Sequence, residues 1–149
     1  MSIHKILQFP DHRLRIKSKP IKKINQKIVN IINDMFDTMY ANNGIGLAAP
    51  QINIPKQIIT ISSIPPHKSE LILINPIILK KNKKYIYTQE GCLSIPEKTA
   101  KINRSSYIKI QAFNHLGKLF ILEARSLLSI CIQHEIDHLT GTLFIDYIC

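Results

Sequence analysis

What the chain lacks narrows its reading first. No apolar run approaches the roughly 20 residues of a membrane span. The opening "MSIHKILQFPDHRLRIKSK" mixes charge with apolar residues and has no signal-peptide core. Three cysteines, Cys92, Cys131 and Cys149, make no disulfide framework, so a reducing cytoplasm is the expected location. There is no internal repeat, low-complexity tract or linker, and residues 1–149 are expected to form a single domain. Acidic residues are few, 10 against 20 Lys and Arg, which leaves a net charge of +10. The lysines are scattered, as in "IKSKPIKK" and "LKKNKK", with no aromatic stacking platform among them. Charge alone therefore supports a solvated surface, or non-specific attraction to a polyanion at most.

What is present is a globular balance, with 45% hydrophobic and 20% charged residues. Between Asn25 and Asn42, the residues Ile28, Ile31, Ile32, Met35, Phe36 and Met39 recur at helical spacing. Asn25 is the expected N-cap and "ANNG" the expected stop. The runs "KQIITISS", "LILINP", "PIILKK" and "KYIYT" are short, β-branched and bounded by Pro, Asn or Lys pairs, which predicts strands. In "YIKIQAF", Ile108, Ile110 and Ala112 share one face, and "NHLGK" turns the chain into "LFILEA" as a hairpin. From Ser126 the helical period returns in "SLLSICIQHEIDHL" and stops at Gly141. Helix, several strands, helix predicts an α+β fold with antiparallel sheet, not alternating βαβ units.

The chemistry concentrates in that last helix. In "QHEIDHLTG", His134 and His138 lie one turn apart on one face, where a metal can bridge them. Glu135 is rotated off that direction and can reach water at the metal without being a ligand. A chance pattern on an amphipathic helix is the plain alternative. The apolar flanks predict burial, however, and a buried Glu beside two buried His is costly without a partner. Two histidines hold a metal poorly, so a third ligand is needed. Downstream, the position where one zinc-peptidase pattern has its His is Phe144, and Asp146 is the remaining carboxylate. Upstream, His4, His12, His67 and His115 stand in polar or turn-like surroundings, as surface residues do. Cys92, in "EGCLS", follows a predicted strand, stands beside Gly91 and offers a thiolate suited to zinc or iron(II). A small buried apolar role is the usual fate of a free cysteine, and it is the one expected of Cys131 on the wall of the same pocket. Spacing alone does not choose among these.

A third segment, "GIGLAAPQ" from Gly44 to Gln51, is too apolar for an ordinary exposed loop. It also lacks the Gly-Lys-Ser/Thr of a phosphate loop and the third glycine of a dinucleotide fingerprint. Taken in order, "GIGLAAPQ", "EGCLS" and "QHEIDH" resemble the three motifs of peptide deformylases. "FPDHRLR", "INP" and "GTLFIDY" resemble that family's flanks, so the resemblance covers nearly the whole chain. It implies the peptide deformylase fold, antiparallel sheets packed around the His-Glu-x-x-His helix. It implies a metal-dependent hydrolase that removes the N-formyl group from the initiator methionine of nascent polypeptides and releases formate. It implies one divalent metal per chain, Fe(2+) first, with Zn(2+), Ni(2+) or Co(2+) able to occupy the site, held by Cys92, His134 and His138. By the same resemblance Glu135 is the general base and later acid. The Gln51 amide and the Leu93 N–H stabilise the oxyanion, and the Gly46 backbone pairs with an extended peptide.

The methionine side chain is then expected among Ile45, Leu127, Ile130 and Cys131, beside the His134 ring. Leu127, Ile130, Cys131 and His134 share one helix face. Arg104 matches a family arginine and is expected to pair with Glu90 or Asp137, steadying the Cys92 loop against the helix. Two features depart from the family. Thr99 stands where many members carry a basic residue, so peptide-backbone contacts there do not carry over. Many members continue past "DY" into a basic helix implicated in ribosome contact, whereas this sequence stops at Cys149. The expected partners are N-formylmethionyl peptides and nascent chains, with weak ribosome contact at most, no membrane and a monomeric state. The competing readings are a metallopeptidase using the same helix and a basic ribosome- or RNA-binding module with a closed structural metal.

Overall fold

The helical period after Asn25 folds as α1, Gln26–Ala41, in a computed structural model that describes residues 2–148. The Asn25 side chain accepts a hydrogen bond from the Ile28 N–H at 3.1 Å and satisfies the helix start. Ile28, Ile32, Met35 and Met39 form the buried stripe and pack against Leu47, Ile52, Ile58 and Ile74. Each such burial contributes roughly 1.5–3 kcal/mol, so packing of the stripe, more than propensity, holds the helix.

Seven strands follow: β1 (Gly46–Ala48), β2 (Ile58–Ile61), β3 (Leu71–Lys81), β4 (Tyr85–Cys92), β5 (Ile95–Ser105), β6 (Tyr107–Phe113) and β7 (Leu119–Arg125), then α2 (Ser126–His138). A five-stranded sheet runs in the order β1-β2-β3-β6-β7, and β4 pairs separately with β5. Among the described residues, these strands all pair antiparallel. The expected α+β class is the one observed.

Three elements differ from the sequence reading. "LILINP" and "PIILKK" are one strand, β3, because Asn75 absorbs the irregularity at a φ of 51°. The register shifts between Ile74 and Ile77, and the Asn75 side chain bonds both the N–H and the carbonyl of Ile21 at 2.8 Å. Pro76 thus interrupts the ladder without ending the strand. β5 was not expected, since "IPEKTAKINRS" exposes most of its side chains and buries Ile95, Ile102, Arg104 and Ser105. The glycine segment is not simply a loop: it becomes β1 at the sheet edge and then a short 3-10 helix, Ala49–Ile52.

Helix α2 lies against β1, β2, β6 and β7 and also touches β5. Leu128, Cys131, Ile132 and Leu139 pack with Ile108, Ile110 and Ala124. Ser105 locks the helix to β5. Its carbonyl accepts from Ser129 Oγ and Gln133 Nε2, both at 2.8 Å, and its N–H donates to Gln133 Oε1 at 3.2 Å. Gly141 ends the helical region at a φ of 76°, its N–H on the His138 carbonyl at 3.1 Å. Cys149 lies outside the described residues.

Candidate metal centre and cavity

Strand alternation aims β4 at the helix. Ile86, Thr88, Glu90 and Cys92 share the face turned inward, while Tyr85, Tyr87 and Gln89 are exposed. Cys92, at the strand's end, brings Sγ to 3.4 Å from His138 Nε2. Ligand atoms of Cys92, His134 and His138 all lie within 4.8 Å of one another, and among the described residues this is the group able to hold a metal. The two imidazoles are edge to face, centroids 5.1 Å apart, as the four-residue spacing requires. Cys131 lines the cavity instead, and burial first, then Glu135 and Glu90, push its thiol up to about 12. Asp146 pairs with Arg15 at 2.6 Å. His4 is half-buried and bonds Asp34 at 2.9 Å rather than lying free on the surface. His12, His67 and His115 do not join the cluster.

Behind the histidines runs a charged chain. Glu90, on β4, accepts from Arg104 Nε at 2.7 Å and Nη2 at 2.9 Å. Glu90 Oε1 also stands 3.0 Å from His134 Nδ1, which leaves Nε2 of that ring for the cluster. Arg104 reaches Asp137 as well, Nη1 to Oδ2 at 2.6 Å, and Tyr147 donates to the same oxygen at 2.8 Å. The arginine therefore pairs with both carboxylates rather than one, because a guanidinium fork presents donors in two directions. Burial works against the charge of Arg104, but Glu90 and Asp137 hold it more firmly protonated than usual. Burial likewise opposes a charge on Glu90, and Arg104 and His134 hold it below the usual carboxylate range.

Glu135 has no such support. It is 6% exposed, and its Oε1 has no hydrogen-bond partner. Burial is the main reason its carboxyl is pushed up to about 7. Burial also opposes a proton on His134, but Cys92 and Glu90 outweigh it and raise that ring to about 10. For His138 burial, with His134 and Arg104 nearby, holds the ring well below the usual histidine range. The Cys92 thiol and the two imidazoles thus converge as a donor set suited to a cation.

A cavity of about 640 Å³ opens over these groups. Ile45, Gly46, Gln51, Leu93, Leu127, Ile130, Cys131 and Glu135 all line it. Ile130 and Cys131 are buried, while Ile45 and Leu127 are about half exposed at the mouth. Gly46 is needed by close approach: a Cβ there would stand 2.8 Å from Glu135 Oε2. The buried Gln51 side chain accepts from the Ala48 N–H at 2.9 Å and donates to Ser94 Oγ at 3.1 Å. Thr99 sits on exposed β5 and accepts from the Gln89 side chain at 2.6 Å. The sequence reading missed Ile86, Thr88 and Ser94. For the first two, the alternation of "KYIYT" held a usable signal. For Ser94 only its place in "EGCLS" marked it.

A cavity lined by a raised carboxyl and the Gln51 amide, beside a Cys-His-His group able to hold a metal, has the layout of a hydrolase. Residues 3–149 match the family model of polypeptide deformylases. A peptide deformylase of Buchnera aphidicola subsp. Cinara cedri is 78% identical over 148 residues, 99% of each chain. One from Buchnera aphidicola subsp. Acyrthosiphon pisum is 60% identical, over 99% of this chain and 85% of the relative. Solved peptide deformylases superpose closely. The Ehrlichia chaffeensis enzyme in complex with actinonin has a TM-score of 0.97 at 36% identity, covering 100% of this chain and 90% of that one. The Thermotoga maritima enzyme has a TM-score of 0.95 at 35% identity, covering 100% and 99%. The chain belongs to the polypeptide deformylase family, metal-dependent hydrolases that remove the N-formyl group from nascent polypeptides.

Proposed function

We propose that this chain deformylates nascent polypeptides at the cavity above α2, with Cys92, His134 and His138 holding one divalent metal. The observation that carries the reading is the buried, unpartnered Glu135 oxygen on the wall of a cavity that also holds this cluster. The donor set fits the metal: a thiolate and two imidazoles suit Fe(2+), and equally accept Zn(2+), Ni(2+) or Co(2+). When bound, the cation supplies Lewis acidity, acidifying water and polarising a carbonyl.

Glu135 takes a proton from the attacking water and returns it to the leaving amine, a task suited to a carboxyl raised to about 7. The Gln51 amide and the Leu93 N–H donate to the oxyanion that forms at the formyl carbon. The peptide lies extended along β1, an edge strand, with the Gly46 backbone pairing to it. Its methionine side chain enters between Ile45, Leu127, Ile130 and Cys131, an apolar slot that an unbranched thioether fits. Arg104 carries Glu90 and so steadies His134, and its bond to Asp137 ties it to α2. The enzyme works as a monomer in the cytoplasm, where its basic surface gives weak, non-specific ribosome contact at most. Among the described residues no helix is long and apolar enough to cross a membrane.

Anaerobic purification with metal analysis and a formyl-Met-peptide assay on one sample tests the reading. About one metal per chain and formate release with intact peptide bonds are expected. Peptide-bond cleavage, or a metal without exchangeable water, overturns it.

A further inference from the structure

The Gln51 carboxamide is anchored at both ends. Oε1 accepts from the Ala48 N–H at 2.9 Å, and Nε2 donates to Ser94 Oγ at 3.1 Å. Nε2 also stands 3.6 Å from Cys92 Sγ, on the cavity side. An amide nitrogen has two N–H donors. With one taken by Ser94 and the carbonyl taken by Ala48, a single orientation remains, and its second N–H is directed at Cys92 Sγ, on the wall of the cavity. The terminal torsion of a glutamine is otherwise broad and roughly two-fold. Ser94 is fully buried, and its own backbone is held from the far side. Phe9 N–H donates to the Ser94 carbonyl at 2.9 Å, the Gln8 side chain to the Leu93 carbonyl at 3.1 Å, and Leu7 N–H to the Gln51 carbonyl at 2.7 Å. The segment from Leu7 to Phe9 thus straps together the two stretches that carry Gln51 and Leu93.

We propose that Ser94 is a positioning residue for deformylation: its hydroxyl oxygen fixes the Gln51 carboxamide so that one N–H is aimed where the oxyanion forms. The inference rests on the reading of Gln51 as an oxyanion donor. A donor already oriented needs no reorganisation as charge develops, and so acts on kcat more than on KM.

The test is steady-state kinetics on the metal-loaded Ser94→Ala, Gln51→Ala and double variants, with a formyl-Met peptide and metal content measured on each. Ser94→Ala should lower kcat about 10-fold, less than the roughly 100- to 1000-fold tied to loss of a whole oxyanion donor. KM and metal content should stay at wild-type values. In the Gln51→Ala background, Ser94→Ala should cost nothing further, since the hydroxyl acts only through the amide. Losses that multiply in the double variant overturn the proposal, as does a Ser94→Ala enzyme with unchanged kcat. A Gln51→Ala enzyme with full kcat overturns the Gln51 reading, and the proposal with it. One measurement needs no variant. In isotope-labelled wild-type protein the Gln51 side-chain amide protons should exchange slowly with solvent. Solvent exchange as fast as that of an exposed carboxamide overturns the proposal even where no Ser94 variant folds.

Discussion

Glu135 shows at the scale of one residue how the site trades stability for chemistry. In the metal-free protein its carboxyl rises from 4.5 to about 7, with burial the largest cause. Between those values the folded state holds a proton that the unfolded chain releases. Folding therefore carries no penalty from this group below 4.5, and stability is lost as pH rises through about 7. Metal-free Glu135→Gln protein should be more stable than metal-free wild type at about pH 8, by roughly 3 kcal/mol. Denaturant titrations should show the gap closing below 4.5; a gap of the same size at every pH would point to packing instead. In the metal-loaded enzyme the same variant should keep its metal and lose at least about 100-fold in turnover. Near-normal turnover would remove Glu135 as the base. Gly46→Ala reaches the carboxylate from the other side, since its Cβ would stand 2.8 Å from Oε2. The carboxylate must shift to clear that contact, and as a misplacement of about 1 Å can cost about 100-fold, kcat/KM should fall by up to that factor; unchanged activity would show that the carboxylate has room to move. The place of Glu135 beside His134 was legible in the chain. Its contact with Gly46 was not, because it joins a sheet edge to a helix distant in sequence.

Among the elements, the β4–β5 pair and α2 meet through Arg104. The side chain is 4% exposed and faces a carboxylate from each: Glu90 on β4 and Asp137 on α2. Arg104→Met leaves both carboxylates without their cation. Removing one partner of a buried pair costs about 3–5 kcal/mol, and loosening Glu90 behind His134 should weaken metal affinity about 10- to 100-fold. Chemical denaturation and chelator competition measure the two effects. Wild-type metal affinity in a destabilised variant would limit Arg104 to the fold. The sequence named this arginine and both carboxylates but offered them as alternatives, since the reach of a guanidinium is set by where β5 lies. β5 itself was illegible because most of its side chains are exposed and polar, and Ile102, Arg104 and Ser105 near its end are buried with Ile95 at its start.

For the whole molecule the governing quantity is charge, a net +10 with a pI near 9.7. Such a field draws acidic peptides and is screened within about 8 Å at physiological salt. Formyl-Met peptides with Asp or Glu at the following positions should therefore lose kcat/KM as salt rises, while neutral peptides change little. The same salt response for both would mean that the basic surface does not steer the substrate.

The periodic elements and the His134–His138 spacing were determined by the sequence alone, because both depend on neighbours a few residues apart. The three motifs and their order were equally plain, and with them the family. The tertiary structure decided the rest. It chose which cysteine stands with the histidines: Cys131, one turn away on the same helix, is turned to the cavity wall, while Cys92 comes across from β4. It also decided that Glu90 backs His134 and that Ser94 holds Gln51. Each of these is a contact between separate strands and helices. Its distance follows from how the sheets pack around α2, and no local spacing encodes it.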